Sequence, residues 1–141
     1  MKSVRQYATL WLLIGMLAGH TAHTAGGPVP TVVHDGDVFS LRAEGRRTAG
    51  GKRVAVTVVG AGGCHCNTDY PWKLKVLSID GGTVGKTVFG PDDAEPWTFE
   101  KVRFAISVQA EGEVRLSFEL RFSMCNDTQC FMKTVPINMV L

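Results

Sequence analysis

The sequence predicts an all-β fold, an immunoglobulin-like antiparallel β-sandwich preceded by a signal peptide, and three observations carry that expectation. Apolar residues beyond the N-terminal region recur with period two, the spacing that lines them along one face of a strand. Gly-rich turns separate these stretches about every ten residues. No part of the same region sustains the 3.6-residue period of an amphipathic helix.

The N-terminus reads as an export signal. Lys2 and Arg5 precede a twelve-residue apolar run from Ala8 to Gly19, followed by the small and polar HTAHTAGG. That order matches the charged, apolar and cleavage zones of a secretory signal, and the run is well short of the roughly 20 residues that span a bilayer. Residues 1–25 are therefore expected to be removed near Ala25, although His20 and His23 depart from a small-x-small cleavage site and leave an uncleaved anchor as the alternative. The expected location is periplasmic or secreted, with no membrane insertion of the mature chain. Both basic residues of the segment leave with it, so the formal charge of +2 falls to balance. Nucleic-acid binding, which draws on a concentrated basic face, is not expected.

Residues 26–30 form a Gly/Pro lead-in, expected to be flexible, and 31–141 form a single domain large enough for one core. Val54, Val56 and Val58 alternate with Ala55, Thr57 and Val59 before the breaker Gly60-Ala61-Gly62-Gly63. Leu74, Val76 and Ser78 alternate with Lys73, Lys75 and Leu77 before the turn Asp80-Gly81-Gly82. Val102, Phe104, Ile106 and Val108 mark a third strand. After Glu111-Gly112-Glu113 comes the clearest one. Val114, Leu116, Phe118, Leu120, Phe122 and Met124 share one face, and Arg115, Ser117, Glu119, Arg121, Ser123 and Cys125 the other. A last strand puts Val135, Ile137, Met139 and Leu141 on one side.

The chemistry lies in four cysteines, paired in sequence as Cys64 with Cys66 and Cys125 with Cys130. An oxidising compartment lets disulfides form, but four cysteines allow three complete pairings and spacing does not choose among them. Ser123 to Phe131 reads as strand, loop, strand, so Cys125 and Cys130 stand at the loop's two mouths. Opposed residues of an antiparallel pair lie about 4.5 to 5.5 Å apart at Cα, within disulfide reach. Cys64 and Cys66 would be about 6.6 Å apart if extended, and could bond to each other only across a turn. A six-residue ring contributes on the order of 2 kcal/mol, against roughly 4 for a long-range bridge. A hairpin-tip bond is thus a weak staple but an accessible target for exchange. Staple and redox pair both remain open at this level.

Phe122 to Cys130 (FSMCNDTQC), closing a long alternating strand, resembles the cysteine loop of the N-terminal periplasmic domain of DsbD, the thiol:disulfide interchange protein, and of the related disulfide bond corrector domains. Gly63 to Pro71 (GCHCNTDYP) is similar to their earlier motif, in which a Gly-x-His-x-Asn run is followed by a proline. The resemblance covers about residues 31–141 and implies the immunoglobulin-like sandwich, a reversible Cys125–Cys130 disulfide as the catalytic pair, and mixed-disulfide exchange with thioredoxin-like or other thiol-disulfide exchange proteins. It calls for no cofactor. Electrons would have to come from another protein. The loop holds four residues between its cysteines where DsbD typically has five, and Cys64 and Cys66 flank His65 where that motif commonly has other residues.

These two cysteines could form a secondary redox pair. Alternatively Cys64, His65 and Cys66, aided by Cys125, Cys130, Met124 and Met132, could bind a soft metal such as Cu(I) or zinc. The simpler expectation is no metal, with His65 a structural histidine hydrogen-bonded near a turn and Met124 a core residue. A third alternative is a non-catalytic binding or structural sandwich held by disulfides. Tyr70-Pro71-Trp72 and Pro96-Trp97 are expected to fill the sandwich ends. No Ser/His/Asp set, phosphate-binding glycine loop or carboxylate pair supports hydrolysis or phosphoryl transfer.

Overall fold

A computed structural model describes residues 29–141. The expected signal segment and residues 26–28 lie outside the described residues. The strands are β1 (Thr31–Asp35), β2 (Phe39–Thr48), β3 (Gly51–Gly60), β4 (His65–Cys66), β5 (Lys73–Asp80), β6 (Thr83–Val84), β7 (Val88–Phe89), β8 (Lys101–Gln109), β9 (Arg115–Cys125) and β10 (Cys130–Val140). They form two antiparallel sheets, ordered β1-β2-β3-β8-β6 and β10-β9-β5-β7. The fold is the all-β sandwich that the alternation predicts.

Period two explains the core directly. From one sheet come Leu41, Val54, Val56, Val58, Phe104 and Ile106, and from the other Leu74, Phe118, Leu120, Phe122 and Ile137, all fully buried. Each such side chain contributes on the order of 1.5–3 kcal/mol by leaving water. One end of the sandwich is sealed by aromatics. The Phe122 ring meets Phe39 edge-on at 4.9 Å and Trp72 at 5.2 Å, and Trp72 meets Trp97 at 5.6 Å. The expectation that these tryptophans fill a sandwich end is met.

Three differences from the sequence reading have physical causes. β2 carries no clear apolar alternation, because its inward positions after Leu41 are Ala43 and Gly45, too small to stand out. Gly45 is small because the Leu141 side chain occupies the space beside it. The last strand begins at Cys130, five residues earlier than its apolar run, because it pairs along the whole of β9, from Cys130 with Cys125 to Val140 with Arg115. In β5 the register shifts between Val76 and Ser78, so that Ser78 is exposed and Ile79, opposite Leu116, packs against the core in its place. In the lead-in, the Pro30 carbonyl accepts the Gly45 N–H at 2.8 Å.

The short strand β4 matters most for the chemistry. It pairs with the end of β9, His65 opposite Cys125 and Cys66 opposite Met124, while β5 pairs with the earlier part of β9. Since β10 covers the opposite edge, β4 and β5 share one edge of β9 in succession. The chain reaches β4 through Gly62 and Gly63, both at positive φ of 59° and 76°, a region L-residues rarely adopt. A side chain at Gly60 would collide with the Cys64 carbonyl.

Candidate functional site

Cys125 and Cys130 are directly opposed at the turn end of the β9–β10 ladder, 4.0 Å apart at Cα, and are joined by a disulfide. The next pair outward is Asn126 and Gln129, where the Asn126 N–H donates to the Gln129 carbonyl at 2.9 Å. Hydrogen-bonded and non-bonded pairs alternate along an antiparallel ladder, so the cysteines occupy the non-bonded kind, whose side chains lie nearest. The four-residue loop is organised by one side chain. Asn126 Oδ1 accepts the Thr128 N–H at 2.9 Å, the Thr128 hydroxyl at 3.0 Å and the Gln129 N–H at 2.9 Å. Asparagine suits this place because its short carboxamide can mimic a backbone turn.

The two cysteines differ in exposure. Cys125 is only 7% exposed, whereas Cys130 is exposed. Both lie on the outer face of their sheet, opposite in direction to the core residue Met124. The earlier part of that face carries Arg115, Ser117, Glu119 and Arg121, yet at this end Ser123 is 1% exposed and Cys125 7%. The cover comes from β4 and the residue after it. Asn67 Nδ2 donates to Ser123 Oγ at 3.3 Å and reaches Cys130 Sγ at 4.0 Å.

Strand alternation separates the cysteines of the earlier motif from this pair. His65 shares a cross-strand row with Cys125 and Cys130, while Cys66 shares one with Met124 and is fully buried. Cys66 is a free thiol donating to the Val58 carbonyl at 3.7 Å, and burial pushes its ionisation up to about 11. It is a poor nucleophile in the folded protein, since the thiolate is the reactive form. Cys64 is also free and half-buried, packed against the core. Cys64 and Cys66 are not bonded to each other.

His65 is exposed, and its ring meets Phe99 edge-on at 5.4 Å. The hydrogen bond expected for a structural histidine is replaced by this aromatic contact. Phe99 is fixed to β4 through its carbonyl, which accepts the Cys66 N–H at 2.8 Å, and its side chain is 58% exposed. Met132, on the same outer face as Cys130 and two residues along, is 68% exposed. Met124 is fully buried in the core. Among the described residues, no group of three or more His, Cys, Asp or Glu side chains is placed to hold a metal ion.

The structure thus brings Cys125 and Cys130 together and places Cys64 and Cys66 apart from them. Sequence reasoning assigned no part in the site to Ser123 or to Asn67, although Asn67 closes the Gly-x-His-x-Asn run. Ser123 was legible in part, since period two puts it on the face of Cys125. Asn67 stands 63 residues before Cys130. Only the pairing of β4 with β9 makes them neighbours.

No protein-family model matches the chain, and no curated protein matches it. Among solved structures the chain is similar to the crystal structure of the yeast GGA1 GAE domain–P21, with 12% identity and a TM-score of 0.46, over 75% of this chain and 96% of that one.

Proposed function

We propose that this domain is an exported thiol-disulfide exchange module that carries electrons on the Cys125–Cys130 pair. The observation that carries the reading is the asymmetry of the hairpin-tip disulfide, one cysteine exposed and the other buried. Exchange requires a thiolate to approach one sulfur in line with the S–S bond while the other leaves. Cys130 is the sulfur open to attack, and Cys125 is the leaving group. A partner thiolate would bond to Cys130 as the Cys125–Cys130 bond breaks, and the partner's second thiol would resolve the mixed disulfide. Two electrons then rest on this domain and the partner leaves oxidised.

Three further features support the reading. Phe99 and Met132 expose apolar surface around the pair, as a transient docking site for a thioredoxin-like partner requires. The loop is ordered by Asn126 rather than by the disulfide alone, so the sulfurs stay in register when the bond opens. The resemblance of FSMCNDTQC to the DsbD loop points to the same chemistry. The competing reading, a structural staple in a non-catalytic sandwich, is disfavoured by the smallness of the ring, which makes the bond a weak staple.

The test is a redox titration of the native protein in glutathione buffers, with alkylation and mass analysis of each cysteine. The expected outcome is a Cys125–Cys130 bond that opens in the folded domain at a potential above about −300 mV. A bond that resists reduction until the domain unfolds would establish the staple.

A further inference from the structure

Asn67 is held on all sides by groups other than the disulfide. Its N–H donates to the Ser123 carbonyl at 2.9 Å, and its own carbonyl accepts the Trp72 indole N–H at 2.7 Å and the Tyr70 N–H at 3.3 Å. In the side chain, Oδ1 accepts the Asp69 N–H at 3.2 Å. That bond orients the carboxamide, so Nδ2 faces β9 and β10, with Ser123 Oγ at 3.3 Å and Cys130 Sγ at 4.0 Å.

The donor is badly matched to the oxidised state and well matched to the reduced one. A disulfide sulfur is a weak acceptor, and 4.0 Å is the outer reach even for sulfur. A thiolate at the same place is charged and draws a donor closer, and hydrogen bonds to charged groups are about twice as strong as neutral ones. A fixed dipole aimed where charge develops favours the state that carries the charge. We propose that the Asn67 carboxamide is the thiolate-stabilising donor of the exchange site, holding the Cys130 sulfur as an anion once the disulfide is opened. The inference rests on the exchange reading above and adds a residue that contacts a reacting atom.

The steps balance with a dithiol partner of thioredoxin type. One partner thiolate bonds to Cys130 Sγ, the Cys125–Cys130 bond breaks, and Cys125 leaves with the electron pair and takes a proton from solvent. The partner's second thiolate attacks its own sulfur in the mixed disulfide. Cys130 leaves as a thiolate facing Asn67 Nδ2, and the partner departs as a disulfide two electrons poorer.

The experiment uses the whole chain and three variants, Asn67→Ala, Asn67→Asp and Ser123→Ala. Each is equilibrated with reduced and oxidised glutathione, and its unfolding midpoint is measured in the oxidised form. Asn67→Ala is expected to shift the equilibrium about tenfold toward the disulfide, the scale of one hydrogen bond to a charged group. Asn67→Asp, which keeps the acceptor for the Asp69 N–H but turns an anionic oxygen toward the sulfur, should shift it further. Ser123→Ala leaves the donor in place and should change it less than twofold. A merely structural role would lower the unfolding midpoint without this order of effects on the equilibrium. Folded Asn67→Ala and Asn67→Asp proteins that match the parent within twofold would overturn the inference while leaving exchange intact. Should Asn67→Ala not fold, Asn67→Asp decides. A parent disulfide that does not exchange in the folded state removes the exchange reading, and the inference with it.

Discussion

Cys66 and Cys130 show how far one residue type can be pulled apart by its surroundings. Cys130 is exposed at a hairpin tip, whereas Cys66 is sealed in the core with its thiol against the Val58 carbonyl. Burial penalises the Cys66 thiolate and raises its ionisation from 9.0 to about 11, with a smaller contribution from the Glu100 charge. As pH rises through 9.0 the unfolded chain gives up this proton while the folded chain keeps it to about 11, so stability falls across that window. Urea denaturation across the same window should show this decline in the parent protein. In Cys66→Ala the slope should be flatter, even though the variant is less stable throughout for want of a buried sulfur. Equal slopes would mean that Cys66 is not buried as described. Sequence could not show that Cys66 is buried, because burial depends on what β4 packs against.

At the scale of elements, the β9–β10 hairpin was the most legible part of the chain. Six apolar residues at period two, then a short polar loop, are enough to place a strand and a turn, and Cys125 and Cys130 fell at the loop mouths as the pattern implied. The loop's internal order was not legible. Asn126 accepts three hydrogen bonds through one oxygen. Asn126→Ala is expected to destabilise the oxidised domain by about 1 kcal/mol in chemical denaturation, the net scale of hydrogen bonds at a partly exposed turn. A loss within error of zero would show that the disulfide alone orders the turn. The two-residue β4 lay beyond sequence reading, since two residues carry no period, and its place is set by Gly60, Gly62 and the pairing with β9.

Taken whole, the domain has a core that does not rely on its disulfide. β9 and β10 pair over eleven residues each, and the buried side chains run the length of both sheets. Against that, a six-residue ring contributes only about 2 kcal/mol. Reduction, or Cys125→Ser with Cys130→Ser, is therefore expected to lower unfolding free energy by about that amount. The sheet signal in far-ultraviolet circular dichroism and the aromatic signal from Trp72 and Phe122 should persist. Collapse on reduction would contradict a core independent of the bond. What the sequence determined by itself was the strand content, the turns and the faces of the long strands, because period two and Gly-rich breakers act over a few neighbouring residues. It also marked Cys125 and Cys130 as a pair able to close, because a hairpin is local. Only the tertiary structure decided that Cys64 and Cys66 turn away from that pair, that Cys125 is covered while Cys130 is open, and that Asn67 reaches the sulfur. Those outcomes depend on which strand edge β4 joins, and edge pairing is a long-range choice among many segments with the same local pattern.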